Sequence, residues 1–232
     1  MKRLFRFDVL PRLGLTLGLL LLLTSEVKAD LSVNNIGLYD GMSNAPTAYV
    51  SYTGSGGYVD VYADPQTATN WTSNGSFIAL YCIDTIHDNA LGDTYKVNPE
   101  APPTFSTTSN YTDAANRVAW ALENAGSTAD GRGATQLLIW SIIDNKFAVN
   151  WADPSTSGLQ TAYNLLVSRM GSGYNKNTNY QSGAEFLAAS HVGDLYQDLA
   201  CATPEPSTLA IAGLGAMGLI GYGLRRRARS QV

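Results

Sequence analysis

Two hydrophobic rhythms divide the middle of this chain, and they change over at Pro102-Pro103. From Leu31 to Tyr62, short segments rich in Val, Ile and Tyr alternate with Gly, Asn, Ser and Pro. Thr47 to Tyr52 and Gly57 to Tyr62 are the clearest, and a period of two between turn residues predicts strands and hairpins. Phe77 to Ile83 is a continuous apolar run, which predicts a buried strand over 76–83, with 92–97 pairing beside it. Beyond the prolines the period lengthens. Ala114, Val118, Ala121 and Leu122 repeat at helical spacing after a Thr112 or Asp113 cap, with Asn124 and Gly126 as the stop. A second helix is expected after a Gly131 to Gly133 loop. Its Leu137, Leu138, Ile139, Trp140, Ile142 and Ile143 are apolar nearly all round, so it should be central. Leu159, Ala162, Tyr163, Leu166 and Met170 predict a third, more amphipathic helix. Residues 184–200 read two ways, Phe186-Leu187-Ala188 as helix and Asp194 to Ala200 as a closing strand. The expected class is α+β: an antiparallel sheet or small barrel with inserted helices.

The two ends follow a different pattern. Lys2, Arg3, Arg6 and Arg12 precede an apolar run from Leu13 to Leu23, and Val27-Lys28-Ala29 offers small residues at a cleavage site. This order predicts a signal peptide over 1–29, removed by signal peptidase; a retained membrane anchor is the alternative, although the run falls short of the ~20 residues of a bilayer span. At the other end Pro204-Glu205-Pro206 is followed by a glycine-studded apolar stretch, with a transmembrane helix expected over 208–224, and then by the basic residues of 225–229. The prolines keep the motif extended, and the arginines hold the far end of the span in the cytoplasm. This tripartite tail, 204–229, resembles the PEP-CTERM sorting domain. The resemblance implies recognition of Pro204, Glu205 and Pro206 by an exosortase, a membrane-embedded cysteine protease, and a transient membrane anchor ahead of delivery to the cell surface or exterior.

Removal of both ends changes the charge picture. The whole chain carries a formal charge of -4, yet residues 30–203 hold six basic and sixteen acidic side chains, a net charge of -10. Such a surface repels polyphosphate, which argues against a nucleic-acid partner. Length and aromatic content suffice for one folded extracytoplasmic domain over 30–203.

Candidate chemistry within that domain centres on its two cysteines. In an oxidising compartment a disulfide between Cys82 and Cys201 is the default expectation, and an inert core thiol at Cys82 is the plainer one. A third reading comes from Tyr81-Cys82-Ile83-Asp84 taken with Ala134-Thr135-Gln136-Leu137-Leu138-Ile139-Trp140. Over roughly 77–144 these segments resemble the thioester domains of bacterial surface adhesins, with Leu138 standing where that TQxA-type motif has Ala. The resemblance implies an internal thioester joining Cys82 to Gln136 and opened by an amine of a surface or matrix partner. His87 and His191 lack the context of a catalytic base. No cofactor is expected, and neither zinc nor calcium is suggested by the spacing of Cys, His and Asp.

Three functions follow in order: an exported protein that tethers itself through the thioester, a structural component of an exopolysaccharide or biofilm matrix with no chemistry, and a hydrolase, for which no nucleophile and base stand out. An enzyme is not expected. The sorting motif gives the first test. Replacing Glu205 with Ala should leave the precursor in the membrane fraction of a host carrying the sorting protease, and normal processing of that variant would remove the assignment of the motif.

Overall fold

The computed structural model of the 232-residue chain describes residues 31–73, 75–85, 91–103, 105, 109–190 and 197–203. The expected signal peptide, the sorting motif Pro204, Glu205 and Pro206, the expected span over 208–224, and both histidines lie outside the described residues. Among the described residues no helix is long and apolar enough to cross a membrane.

The class is α+β. Strands β1 (Leu31–Val33), β9 (Tyr95–Glu100), β11 (Ala184–Ser190), β12 (Leu199–Ala202) and β8 (Tyr81–Cys82) form a five-stranded sheet in the order β1-β9-β11-β12-β8. The β9–β11, β11–β12 and β12–β8 pairings are antiparallel. A second sheet joins β3 (Thr47–Ser51) and β4 (Val59–Tyr62) as a hairpin, with β10 (Ala148–Asn150) on the far side of β3. Two short pairs complete the strands among the described residues: β2 (Gly37–Leu38) with β5 (Gln66–Thr67), and β6 (Thr72–Ser73) with β7 (Ser76–Phe77). Helices α1 (Ala114–Glu123), α2 (Ala129–Ile143) and α3 (Ser157–Gly173) lie in sequence between β9 and β11, as the change of rhythm at Pro102-Pro103 predicts, with β10 and a 3-10 turn, Pro154–Thr156, between the last two.

Local expectations were corrected in four places. The apolar run over 76–83 is two separate strands, β7 and β8, because its two parts pair with different partners: β7 closes back on β6 through the turn at Gly75 (φ +80°), and β8 pairs with β12. Leu80 instead bridges to Gln66 of β5. Residues 92–97 do not pair with that run; β9 pairs with β11. The segment containing Phe186-Leu187-Ala188 is strand throughout, since Phe186 and Leu187 are buried between β9 and β12.

The fourth correction concerns glycine. Gly131 and Gly133 are not in a loop but inside α2, which starts one turn earlier, where the Thr128 hydroxyl accepts the N–H of Gly131 at 3.1 Å as an N-cap. Helical propensity alone argues against glycine here, at a cost of ~1 kcal/mol each relative to Ala. Close packing overrides it. A Cβ on Gly131 would sit 2.9 Å from the Cα of Gly126, and one on Gly133 would sit 2.4 Å from the carbonyl oxygen of Ala63 and 2.6 Å from Pro46 Cγ. Helix α2 is thereby drawn against the loop that leads into β5, and from Gly133 to Ile143 every residue except Ser141 is buried.

Helix α1 turns its Val118, Ala121 and Leu122 inward, as its spacing predicts, and α3 does so with Leu159, Leu166 and Met170. Asp113 precedes α1 without capping it, because its carboxylate accepts from Arg117 Nε at 2.8 Å and from the Tyr174 hydroxyl at 2.7 Å. Gly133→Ala should destabilise the domain by about 1–3 kcal/mol despite the better helix propensity of alanine. Urea denaturation measures this, and a midpoint at or above that of the wild type would contradict the packing argument.

Candidate functional site

Strand β8 is only two residues long and lies at the edge of its sheet, so one side of its backbone needs partners from elsewhere. Gln136 provides them. Its Oε1 accepts the backbone N–H of Cys82 at 2.9 Å, and its Nε2 donates to the Cys82 carbonyl at 2.8 Å. Gln136 is fully buried in the middle of α2, and Cys82 is 4% exposed. The two residues singled out in the sequence are therefore brought together, but through the backbone of Cys82.

A different glutamine faces the sulfur. Cys82 Sγ lies 2.8 Å from Oε1 of Gln197, which stands just ahead of β12. Register explains the meeting. Leu199 pairs with Cys82, and the N–H of Ile83 donates to the carbonyl of Asp198, so the chain ahead of Leu199 runs back beside residues 83 and 84. Gln197 has the same parity as Leu199 and faces the same way. Its side-chain amide is held at both ends, since Gln66 Nε2 donates to its Oε1 at 3.2 Å and its own Nε2 reaches the Asp84 carbonyl at 3.4 Å, while its backbone carbonyl accepts from the Tyr95 hydroxyl at 3.1 Å. Sequence reasoning missed Gln197. The available signal was a polar residue at an inward position of the alternating segment that ends in the buried run Leu199-Ala200-Cys201.

No disulfide joins the cysteines. Cys201 stands two residues beyond the register partner of Cys82, a diagonal of ~7–8 Å between adjacent strands, whereas a disulfide needs Cβ atoms ~3.5–4.5 Å apart. Burial pushes the Cys201 thiol up to about 12, with the nearby Glu185 charge adding to the shift, so Cys201 is a protonated core residue.

Cys82, Gln66 and Gln197 line a cavity of about 530 Å³ whose walls include Val50, Val59, Trp140 and Phe147. Asp60, Asp64 and Asp84 contribute to it, and no Lys or Arg does among the described residues. The wall is fixed from behind by Asp144, which accepts from the N–H and hydroxyl of Thr53, each at 2.7 Å, from the N–H of Lys146 at 2.9 Å and from the Thr85 hydroxyl at 3.3 Å. Burial opposes ionisation of Asp144, yet these donors outweigh it and hold its carboxyl below the usual range. Two buried polar atoms on the cavity wall lack a hydrogen-bond partner among the described residues: Trp140 Nε1 and Asp64 Oδ1. Among those residues, no cluster of His, Cys, Asp and Glu suits a metal ion.

The family described as the PEP-CTERM protein-sorting motif matches residues 202–227. That match supports the assignment as an exosortase substrate, a protein exported and sorted to the cell surface or exterior. It overlaps the described fold only at Ala202, the last residue of β12, and Thr203, whose N–H donates to the Gly183 carbonyl at 3.0 Å. No curated protein and no solved structure matches the chain.

Asp64 supplies the pH test of this cavity. Burial pushes its carboxyl up from 3.8 to about 6; the Asp40 charge adds to the rise, and the Asp40 N–H and Arg132 oppose it. The folded state therefore holds this proton to a higher pH than the unfolded chain does, and the associated stability is complete below 3.8 and lost as pH rises through about 6. Asp64→Asn, which cannot ionise, should gain in thermal midpoint over the wild type between pH 4 and pH 7. Parallel pH profiles of the two proteins would show that Asp64 is not buried as described.

Proposed function

We propose that this is an exported surface protein that attaches itself covalently to a partner through an internal thioester between Cys82 and Gln197. The 2.8 Å contact between Cys82 Sγ and Gln197 Oε1 carries the reading. Gln136, taken as the acyl partner from sequence, acts here as a positioning residue: both ends of its amide hold the Cys82 backbone, and removing that clamp would orphan two buried backbone groups at ~1–3 kcal/mol each.

In this reading the Cys82 sulfur displaces ammonia from the Gln197 side chain, and the acyl thioester stands at the cavity wall. An external amine then attacks the same carbonyl and returns the thiol, leaving an isopeptide-type amide. Rigid placement does much of the work, since reacting groups held in contact gain the advantage of a unimolecular step. Strand pairing from β12 and the Gln136 clamp together supply that rigidity. The carboxylates of Asp60, Asp64 and Asp84, with no Lys or Arg among the described lining residues, favour a cationic amine over an anionic ligand. Because the bond is used once, the protein is a tether and not an enzyme. Before delivery the chain is held by its span over 208–224 and processed by signal peptidase and exosortase.

The mature protein should weigh one ammonia less than its sequence. Methylamine should restore mass, and peptide fragmentation should place the methyl label on residue 197 and not on residue 136. Cys82→Ala and Gln197→Ala should each abolish both effects. A mature protein at full sequence mass would overturn the covalent function and leave a matrix component without chemistry.

A further inference from the structure

Two donors converge on one oxygen in this site. Cys82 Sγ lies 2.8 Å from Gln197 Oε1, and the Gln66 side-chain amide donates to that same oxygen at 3.2 Å. Gln66 comes from a separate strand, β5, and its placement is specific. Its N–H donates to the Leu80 carbonyl at 2.7 Å, and its own carbonyl accepts from the Leu80 N–H at 2.8 Å, which fixes it two residues along from Cys82 on the neighbouring strand. Gln66 and Cys82 therefore share a face, and Gln66 is itself 8% exposed. A glutamine at an inward strand position is expensive to bury unless its amide is engaged.

Resting on the thioester reading, we propose that Gln66 is a catalytic residue of that chemistry, the donor that stabilises negative charge on Gln197 Oε1. When Sγ bonds to the Gln197 carbonyl carbon, the electron pair of the C=O bond moves onto Oε1. The Gln66 N–H is already directed at that atom. Its 3.2 Å distance is at the long end for an N–H···O bond and can shorten as charge builds. Collapse restores the C=O bond and breaks the bond from carbon to Nε2 of Gln197, and the departing nitrogen takes the thiol proton and leaves as ammonia. In the second step an amine adds to the same carbon and charge returns to the same oxygen. The carbon to sulfur bond breaks, and sulfur takes the amine proton. No oxidant or outside acid is needed in either direction, and Gln66 serves both.

A purely structural Gln66 would complete the hydrogen bonding of Gln197 and leave rates alone, so kinetics separate the roles. Gln66→Met keeps the length and removes the donor; Gln66→Glu keeps the shape and replaces the donor with an acceptor. In variants with wild-type near-ultraviolet circular dichroism, methylamine should react with the mature protein ~10²–10³-fold more slowly than with the wild type. The infrared band of the thioester carbonyl should also move to higher frequency. Wild-type rates and an unmoved band would overturn the role of Gln66 while the bond itself stands, whereas a wild-type protein at full sequence mass would show that the thioester reading has failed first. Should neither variant fold, the wild-type carbonyl band decides. A band below that of a simple thioester in an apolar solvent supports the donor, and coincidence with it excludes the donor.

Discussion

The Gln136 side chain and the Cys82 backbone form the contact on which the rest of the site depends. An edge strand of two residues has little pairing to hold it, and its outward N–H and C=O would be buried against a helix with nothing to bond. One primary amide presents a donor and an acceptor with the spacing of a peptide group, so Gln136 completes the ladder from the middle of α2. Its cost of burial is offset only because both ends are engaged. Once β8 is fixed to α2 in this way, the direction of the Cys82 side chain is fixed as well.

From that clamp the cavity follows by register. β12 pairs with β8 on the side away from α2, and the chain ahead of β12 carries Gln197 past Asp84 onto the sulfur. β5 approaches through the Gln66 to Leu80 bridge and adds a second amide. Glycines in α2 permit the helix to lie close enough for these elements to meet, since a Cβ on Gly133 would strike the Ala63 carbonyl immediately ahead of Asp64. Asp144 then ties the end of α2 to the β3–β4 turn and to Thr85. The site is thus built from four elements that are far apart in sequence, and its polar groups bond mainly to one another.

The fold and the sorting segment adjoin directly. β12 is an inner strand between β11 and β8, and Thr203 is still bonded to Gly183 when the chain reaches Pro204. The strand that brings Gln197 to Cys82 is therefore the last one before the sorting motif, and the same strand completes both the sheet and the cavity wall.

The sequence alone determined what local pattern can encode. Apolar spacing located β3, β4 and the three described helices, because a helix or strand facing a core repeats its burial at its own geometric period. The tripartite tail was legible for the same reason, as a linear signal read without folding. Cys82 and Gln136 could be picked out as a pair, yet nothing local distinguished a glutamine that holds a backbone from one that faces a sulfur. That distinction belongs to tertiary structure. Gln66, Cys82, Gln136 and Gln197 meet across separations of up to 131 residues, and their placement follows from strand register and the packing of α2, which sequence spacing does not carry. Gly131 and Gly133 misled for a related reason: local preference places glycine in loops, while the close approach of two backbones, visible only in the fold, requires it within a helix.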